Sequence, residues 1–359
     1  LSGGTEETRA ALFGGRTLVR RTPIGVVAGI APWNFPATLA SFKYAPALAA
    51  GCTIVLKPSP ETVLDSYLLA EAVIEADLPP GTVNIVPGGR ETGAHLVAHP
   101  DVNKVAFTGS TAAGRSIAET CGRLLRPVTL ELGGKSAAII LDDAQLDLAA
   151  LAEKLFVATL VNNGQTCFLG TRVLAPRSRY AEVVDLFTTF AASLKIGDAL
   201  DETTQIGPMA TAHHRERVES YIAKGRDEGA RLTTGGGRPR GLDRGWFVEP
   251  TVFADVDNAS AIAQEEIFGP VLSVIPYADV DDAVRIANDS AYGLGGSVWT
   301  GDAERGLAVA KRVETGTIGI NGYLPDIASP FGGVKASGTG RELGPEALSA
   351  YQNIQSVYL

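Results

Sequence analysis

The chain has 359 residues, which is enough for two domains of average size. Hydrophobic residues make up 45% of it and charged residues 20%, a composition that excludes disordered, collagen-like and low-complexity proteins. Lys and Arg number 31 against 40 Asp and Glu, so the net charge is −9, and without a basic block we expect no nucleic-acid surface.

Other compositional features predict neither a membrane protein nor a secreted one. The longest nearly uncharged apolar stretch, residues 45–56, contains Pro46 and Gly51 and is far shorter than the ~20 residues of a membrane-spanning helix. The three cysteines are widely spaced and form neither a disulfide framework nor a zinc-binding pattern. The sequence shows no N-terminal secretion signal. We therefore expect a cytoplasmic globular protein without a metal centre.

The first half of the sequence alternates short apolar strands with segments of helical length. This alternation predicts βαβ units and a parallel sheet that is covered on both faces, which is an α/β fold. Such sheets bind ligands at the carboxyl ends of their strands, and here each predicted strand is followed by a turn rich in Gly, Pro or polar residues. The predicted strands cover residues 24–30, 53–56, 83–86 and 104–107, and the predicted helices 38–50, 63–76, 91–98 and 112–121.

A second α/β domain is predicted to begin near residue 134. Its pattern starts with a strand over 137–141 and an amphipathic helix over 146–161, and strand–helix alternation returns over 271–320. The segments 16–22 and 353–359 are β-prone and lie outside the alternation, so we expect edge strands that pair with another subunit. Further helices are predicted over 179–194 and 212–228, with a glycine-rich loop at 235–237.

Cys167 is a candidate nucleophile because its flanks are polar and contain glycine. Gly164 permits a tight turn that exposes the thiol and aims backbone N–H groups at a substrate. The alternative is a buried small hydrophobe, which is the default for a lone cysteine. The sequence has four histidines, none in a turn that follows a strand with other candidate groups, so little favours a Cys–His hydrolase.

Glu131 is a candidate general base. It lies in an apolar strand that is followed by two glycines, where burial of a charged carboxylate costs several kcal/mol unless the group is paired or protonated. Desolvation would raise its pKa and suit it to proton transfer near neutral pH. The alternative is a structural glutamate that is paired to a nearby Lys or Arg.

Three further motifs each have a functional and a structural interpretation. Residues 107–114 form a strand, a Gly-Ser turn and a helix start, whose free N–H groups suit a pyrophosphate, although many such turns bind nothing. The amide of Asn34, in a loop with two prolines, either donates to an oxyanion or bonds its own backbone. Glu266 lies in an apolar turn and is either a helix cap or a ligand contact.

Six motifs in this order resemble the NAD(P)-dependent aldehyde dehydrogenase superfamily, in its hydrolytic branch. The resemblance runs from about residue 16 to the end and begins inside the family pattern, so we expect the family's N-terminal segment to be missing. That segment normally completes the cofactor domain and part of the substrate tunnel. The motifs are Pro32-Trp-Asn-Phe-Pro36, Phe107-Thr-Gly-Ser-Thr111, Leu130-Glu-Leu-Gly-Gly-Lys135, Gly164-Gln-Thr-Cys167, Glu265-Glu-Ile-Phe-Gly-Pro270 and Ser329-Pro-Phe-Gly-Gly333.

The resemblance implies a mechanism and a set of site residues. Cys167 would attack the aldehyde, Asn34 and the Cys167 N–H would hold the oxyanion, and Glu131 would activate water for thioester hydrolysis. Lys43 and Glu342 would form the supporting pair that relays the proton from the base. The implied cofactor-binding residues are Trp33, Lys57, Ser59, Gly109, Ser110, Gly114, Gly133, Glu266 and Phe268.

The resemblance also implies the architecture and the assembly. It predicts a Rossmann-like cofactor domain, an α/β catalytic domain, a small β oligomerisation element, and a homodimer or homotetramer. The expected boundaries are 1–23 for the first oligomerisation strand and a partial N-terminal region, 24–133 for the NAD(P)-binding domain, 134–336 for the catalytic domain, 337–351 for a return to the cofactor domain, and 352–359 for the C-terminal oligomerisation strand.

The cofactor, the substrate and the reaction branch stay open at this point. NAD-preferring members often carry an acid three residues after the Lys57 position, and here that position is Pro60, so both NAD and NADP remain candidates. Leu160 and Val161 precede the cysteine motif and indicate a hydrophobic tunnel. The alternatives are a CoA-acylating relative, against which Glu131 argues, and a catalytically silent structural or binding protein.

Overall fold

The computed structural model describes residues 4–359, so the first three residues of the predicted segment 1–23 lie outside the described part. The strands are β1 (Thr5–Ala10), β2 (Arg16–Pro23), β3 (Val26–Ile30), β4 (Thr53–Lys57), β5 (Val83–Ile85), β6 (Lys104–Thr108), β7 (Val128–Glu131), β8 (Ala137–Ile140), β9 (Arg172–Pro176), β10 (Arg231–Thr234), β11 (Thr251–Ala254), β12 (Val271–Tyr277), β13 (Tyr292–Gly293), β14 (Gly296–Trp299), β15 (Gly319–Ile320), β16 (Val334–Lys335), β17 (Gly338–Thr339) and β18 (Gln352–Tyr358). The α-helices are α1 (Pro36–Ala49), α2 (Asp65–Glu75), α3 (Arg90–Ala98), α4 (Thr111–Arg123), α5 (Leu148–Leu155), α6 (Tyr180–Ser193), α7 (Ala212–Asp227), α8 (Ala261–Gln264), α9 (Val280–Asn288), α10 (Ala303–Ala310) and α11 (Glu346–Ser349).

The chain divides into two compact units. Of the described residues, the first unit comprises 4–132, 326–332 and 338–359, and the second comprises 133–325 and 333–337. Each unit has an open sheet that is mostly parallel, with helices packed on it. The α/β fold class expected from the sequence is confirmed. Within residues 4–359, none of the helices has the combined length and apolarity of a membrane span.

The sheet of the first unit has the strand order β17-β7-β6-β3-β4-β5. All neighbours from β7 to β5 are parallel, and only β17 is antiparallel to its neighbour. The chain runs from β3 outward through β4 and β5 and then returns to β6 on the other side of β3. This reversal creates a switch point between β3 and β6, the place where open α/β sheets form a crevice for ligands.

A separate antiparallel sheet joins the two β-prone segments near the chain ends. β2 pairs with β1 on one side and with β18 on the other, from Gln352 opposite Pro23 to Tyr358 opposite Thr17. The prediction that both segments form strands outside the main alternation is confirmed. They pair with each other inside one chain, and β18 stands at the edge of the sheet. The expectation that residues 16–22 form an edge strand is wrong, because β2 lies between β1 and β18.

The sheet of the second unit has the strand order β10-β11-β12-β9-β8-β14-β15, with only β10 antiparallel to its neighbour. The predicted helix over 146–161 differs from the structure. Its α-helical part ends at Leu155, and the five residues Phe156–Leu160 form one wider π-helical turn. Wider turns of this kind are frequent at functional sites, because they rotate the following residues relative to the helix.

Candidate active site

In the first unit, the predicted site residues lie at the carboxyl ends of adjacent strands. Asn34 follows β3, Lys57 is the last residue of β4, Ser110 follows β6, and Glu131 is the last residue of β7. Because these strands are parallel neighbours, the four positions lie together at the carboxyl ends of the strands, two on each side of the switch point. Trp33 lies beside Asn34 in the same turn, and both are partly buried.

Glu131 is a buried carboxyl group without a hydrogen-bond partner among the described residues. It is 2% exposed, and neither of its oxygens is bonded. Burial raises the pKa of Glu131 well above the usual range of a glutamate, and the nearby carboxyl of Glu342 raises it further, while Lys43 and Arg341 oppose the shift. Such a group keeps its proton to a higher pH than an ordinary glutamate does.

Lys43 and Glu342 form a buried ion pair in the first unit. The Nζ atom of Lys43, on α1, lies 2.9 Å from Oε1 of Glu342 and donates a second hydrogen bond of 2.6 Å to Thr108 Oγ1. Both charged side chains are at most 1% exposed. Because Thr108 and Glu131 are paired neighbours on β6 and β7, the ion pair and the Glu131 carboxyl belong to one cluster.

The start of α4 fits a phosphate-bearing ligand. Ser110 is the N-cap of this 13-residue helix, and its hydroxyl accepts a hydrogen bond from the N–H of Ala113. A Cβ atom at Gly109 would lie 2.6 Å from the ring of Phe107, and one at Gly114 would lie 2.4 Å from the side chain of Leu132. The helix therefore packs close to the sheet, and its N-terminus is the end of the helix that favours an anion.

Lys57 and Ser59 lie in the turn that follows β4. The ammonium group of Lys57 donates to the carbonyls of Pro58 at 2.7 Å and of Gly88 at 2.9 Å, and burial lowers the pKa of Lys57. The Ser59 hydroxyl donates to the carboxylate of Glu61. Position 60, where NAD-preferring family members often carry an acid, is a proline in this chain. The next residue, Glu61, does carry a carboxylate, and this carboxylate accepts the hydrogen bond from Ser59.

In the second unit, Cys167 follows a turn with an unusual backbone. Asn162, Asn163 and Gly164 all have positive φ, between 54° and 74°. Asn and Gly tolerate this region better than other residues, which explains why the sequence has them here. A side chain at Gly164 would lie 2.2 Å from the carbonyl of Gly269, so only glycine fits.

Two side chains fasten this turn to the following loop. Asn163 accepts a 2.8 Å bond from the N–H of Gly207 and donates a 3.0 Å bond to the carbonyl of Pro208. Gln165 accepts a 2.9 Å bond from the N–H of Ala210. The backbone before Cys167 is therefore fixed in place, and the residue itself is partly exposed.

The other predicted residues of the second unit gather at the amino ends of three adjacent strands. Gly134 precedes β8, Cys167 precedes β9, and Glu266 precedes β12. A Cβ atom at Gly134 would lie 2.1 Å from the carbonyl oxygen of Cys167, and one at Gly133 would lie 2.4 Å from Oε2 of Glu266. Two glycines are therefore required for this close packing. In the first unit the predicted site residues follow their strands, as the sequence predicts, whereas these residues precede theirs.

Glu266 turns its carboxylate toward the Gly133–Gly134 segment. Its Oε1 accepts a 2.9 Å hydrogen bond from the N–H of Gly134. Burial of the carboxylate raises the pKa of Glu266 to about 7, although the Gly134 N–H, Lys135 and Arg217 oppose the shift. The group therefore changes its charge close to neutral pH.

Phe268 has a φ of 64°, in the left-handed region that residues other than glycine seldom occupy. His214 supports this backbone, because its Nε2 lies 2.5 Å from the carbonyl oxygen of Phe268 and donates to it. Burial lowers the pKa of His214, which favours the neutral form of the ring. The two rings also meet edge to face at 5.8 Å.

The sequence analysis missed several buried residues that support the site. Lys104 and Arg172 each carry a charge in an apolar strand, the same signal that singled out Glu131, and both are 1% exposed. Arg172 donates to the carbonyls of Lys135 at 2.9 Å and Ala287 at 2.8 Å. Burial lowers the pKa of Lys135 itself to about 7. No local pattern marked His214, whose role depends on contacts with a distant segment.

Comparison with known proteins identifies the class of this protein as an NAD(P)-dependent oxidoreductase that acts on aldehydes. The model of the aldehyde dehydrogenase family matches residues 4–357, and the chain belongs to this family. The resemblance that the sequence motifs predicted is therefore confirmed.

The similar proteins include curated relatives and solved structures. The chain is 63% identical to geranial dehydrogenase of Castellaniella defragrans, over 99% of this chain and 73% of the relative. It is 46% identical to betaine aldehyde dehydrogenase of Rhizobium etli, over 95% of this chain and 70% of the relative. The aldehyde dehydrogenase of Mycobacterium tuberculosis, solved with NAD+, superposes with a TM-score of 0.96 at 54% identity, over 99% of this chain and 73% of that one. A mutant of aldehyde dehydrogenase C from Pseudomonas syringae, solved with NAD+ and octanal, gives a TM-score of 0.93 at 42% identity, over 98% and 72%.

Proposed function

We propose that this chain oxidises an aldehyde to the carboxylic acid, with Cys167 as nucleophile and Glu131 as the base that activates water. The observation that carries the proposal is the buried carboxyl of Glu131, which has no hydrogen-bond partner among the described residues and a raised pKa. A glutamate in this state suits general-base catalysis near neutral pH better than structural pairing.

In the first half of the reaction, the thiolate of Cys167 forms a bond to the carbonyl carbon, and the carbonyl oxygen becomes an oxyanion. The Asn34 amide and the backbone N–H of Cys167 are the proposed donors to this oxyanion. A positioned donor of this kind typically lowers the barrier by ~3–4 kcal/mol. The fixed backbone of residues 162–164 supports the role of the Cys167 N–H, because a donor contributes most when it needs no reorganisation.

Residues of each unit, taken by itself, suit a part of a nicotinamide dinucleotide. The N-terminus of α4 with Ser110, Gly109 and Gly114 suits the pyrophosphate, and Lys57 and Glu266 offer a donor and an acceptor for ribose hydroxyls. The proposed contact set is completed by Trp33, Ser59, Gly133 and Phe268. NAD(P)+, when bound, supplies the acceptor for the hydride of the substrate. The NAD+ in the solved relatives favours NAD+ as the partner of this chain.

In the second half of the reaction, the acyl group is held on the sulfur of Cys167 as a thioester. Ionised Glu131 takes a proton from water, the hydroxide adds to the acyl carbon, and the thiolate of Cys167 leaves. Lys43 and Glu342 supply the adjacent ion pair that receives the charge change when Glu131 becomes protonated. A strongly raised pKa ensures that Glu131 is a sufficient base once it is ionised.

For the substrate, we propose an apolar aldehyde. Leu160 is fully buried and Val161 partly buried just before the cysteine turn, and Phe168 follows Cys167 directly. The 63% identical relative is named for geranial, and octanal is bound in the Pseudomonas syringae structure. Betaine aldehyde dehydrogenases are also among the relatives, so betaine aldehyde, which is a cation, is the appropriate competing substrate to test.

A burst experiment tests the mechanism. Rapid mixing of enzyme, NAD+ and geranial or octanal should give steady formation of NADH with the wild type and none with Cys167→Ser. Glu131→Gln should give one fast turnover of NADH and then stop, because the thioester forms but is not hydrolysed. Glu119→Gln and Cys121→Ser are the matched controls, since Glu119 is exposed on α4 and Cys121 is buried on the same helix.

Three results would contradict the proposal. If Glu131→Gln turned over at the wild-type rate, Glu131 would not be the base. If the acyl group left only when CoA was added, and as a thioester of CoA, the chain would be an acylating enzyme. A chain that formed no NADH with any aldehyde, while iodoacetamide still modified Cys167 without protection by NAD+, would be catalytically silent.

A further inference from the structure

A second buried lysine lies next to the cluster of Glu131, Glu342 and Lys43. Lys104 is 1% exposed, and its ammonium group donates a 2.8 Å hydrogen bond to Thr129 Oγ1. The same ammonium lies 4.9 Å from the centre of the Tyr351 ring, a distance at which an aromatic face stabilises a cation. The mechanism proposed above assigns no task to this buried charge.

The register of the sheet places Lys104 on the same face as Glu131. Lys104 and Thr108 are four residues apart on β6, so their side chains share a face, and Thr129 and Glu131 share a face of β7 in the same way. Thr129 pairs with Ala106, and Glu131 pairs with Thr108. Thr108 accepts a hydrogen bond from Lys43, and Thr129 accepts one from Lys104. Both ammonium groups therefore lie against the same face of the sheet.

Four buried titratable side chains lie together on this face. Two carboxyl groups, Glu131 and Glu342, lie with two ammonium groups, Lys43 and Lys104, and all four side chains are at most 2% exposed. Glu342 has one oxygen on Lys43 and a second oxygen, Oε2, without a partner among the described residues. A buried carboxylate with an unbonded oxygen needs a further positive charge nearby if it is to stay ionised.

We propose that Lys104 is a positioning residue that keeps Glu342 ionised, and that ionised Glu342 in turn delays the loss of the proton from Glu131. This inference rests on the proposed role of Glu131 as the base. Lys104 acts on Glu131 through Glu342, because ionised Glu342 repels a second negative charge beside it. Ionised Glu342 thus raises the pH at which Glu131 loses its proton, and the carboxylate that then forms is a stronger base.

The direction and the causes of each pKa shift agree with an action of Lys104 on Glu342 and of Glu342 on Glu131. Burial raises the pKa of Glu342, and Lys43 and Lys104 oppose the shift. For Glu131 the charged neighbours are Glu342, Lys43 and Arg341. Burial lowers the pKa of Lys104 to about 8, where Glu342, Cys121 and Cys52 favour its charged form and Lys43 opposes it.

The proposal predicts an effect with an unexpected sign. Removal of a cation ordinarily raises the pKa of a nearby carboxyl group. Here Lys104→Met should let Glu342 take up a proton more readily, and Glu131 should then ionise at lower pH, by roughly half a unit or more. In a Glu342→Gln background, Lys104→Met should produce no further shift, because the intermediate charge is gone.

Infrared difference spectroscopy of the full chain tests this without reliance on turnover. The C=O stretch of protonated Glu131 is assigned by its loss in Glu131→Gln and is then titrated from about pH 5 to 9. Lys104→Arg should keep the wild-type midpoint. Lys224→Met is the matched control, because Lys224 also lies over a tyrosine ring, at 4.7 Å from Tyr221, but is exposed.

A midpoint that stays constant or moves to higher pH in Lys104→Met would overturn the proposal, as would a downward shift that persists with Glu342→Gln. If circular dichroism shows that Lys104→Met does not fold, Thr129→Val decides, because it removes the hydroxyl that holds the ammonium and should shift the midpoint in the same direction. Failure of the proposed function looks different: Glu131→Gln would then turn over normally, whatever the midpoints are.

Discussion

Removal of one member of the buried Lys43–Glu342 ion pair should strongly destabilise the first unit at neutral pH. Lys43→Met keeps most of the apolar stem and removes the ammonium, so Oε1 of Glu342 loses its 2.9 Å partner, and Thr108 loses its 2.6 Å donor. Glu342 is then left buried with neither oxygen bonded to a charge. Loss of one member of a fully buried pair typically destabilises a protein by about 3–5 kcal/mol, and we expect that magnitude here.

The sign of the pH dependence follows from the raised pKa of Glu342. Without Lys43 the folded-state pKa rises further above that of the unfolded chain, so the unfolded state is ionised where the folded state must bind a proton. The penalty of the variant is therefore greatest near neutral pH and disappears as the pH falls below about 4.3, the ordinary pKa of a glutamate.

Urea unfolding followed by circular dichroism at about pH 7 and 5 measures both quantities. Lys195→Met is the matched control, since Lys195 lies 2.9 Å from Asp201, the same distance, but both partners are about half exposed, and such pairs contribute roughly 0–1 kcal/mol. The double variant Lys43→Met with Glu342→Met should recover most of the lost stability. A loss below about 1 kcal/mol for Lys43→Met, or no recovery in the double variant, would refute the reasoning.

Two further predictions concern the cofactor and the assembly. Because the pKa of Glu266 is about 7, its carboxylate becomes an acceptor for a ribose hydroxyl as the pH rises through this value, so NADH should bind more tightly at about pH 8 than at 6. Fluorescence titration should show this slope in the wild type and a flat response in Glu266→Gln, and equal slopes would exclude the contact. We also propose a homodimer or homotetramer in which the edge strand β18 takes part: deletion of residues 356–359 should lower the mass found by sedimentation velocity, whereas an unchanged mass would reject that role.

Much of the fold could be predicted because each local signal agreed with the final structure. The predicted helix over 91–98 is observed as Arg90–Ala98, and the strand over 104–107 as Lys104–Thr108. Their boundaries are marked by glycine, proline and polar turns, which act locally. The helix over 146–161 was predicted too long, because its apolar spacing continues through Leu160 while the backbone widens after Leu155 to meet the fixed turn before Cys167.

The candidate site divides in the same way. The sequence identified Glu131 because a carboxylate in an apolar strand is anomalous wherever the strand lies. It also identified the Asn-Asn-Gly turn before Cys167, whose residue types suit positive φ. It did not identify Lys104 or Arg172, although each carries a charge in an apolar strand as Glu131 does, and it did not identify His214, whose partner Phe268 is distant in the chain.

The sequence by itself determined the kind of protein: six motifs in order, an α/β alternation, and a cysteine and a glutamate in chemically unusual surroundings. Only the tertiary structure decided the pKa values of these groups. The pKa of Glu131 depends on burial, on Glu342, which lies 211 residues away in the chain, and on Lys43 and Arg341. Strand order and register create such neighbours, and they arise from packing of the whole unit, which no local pattern of residues encodes.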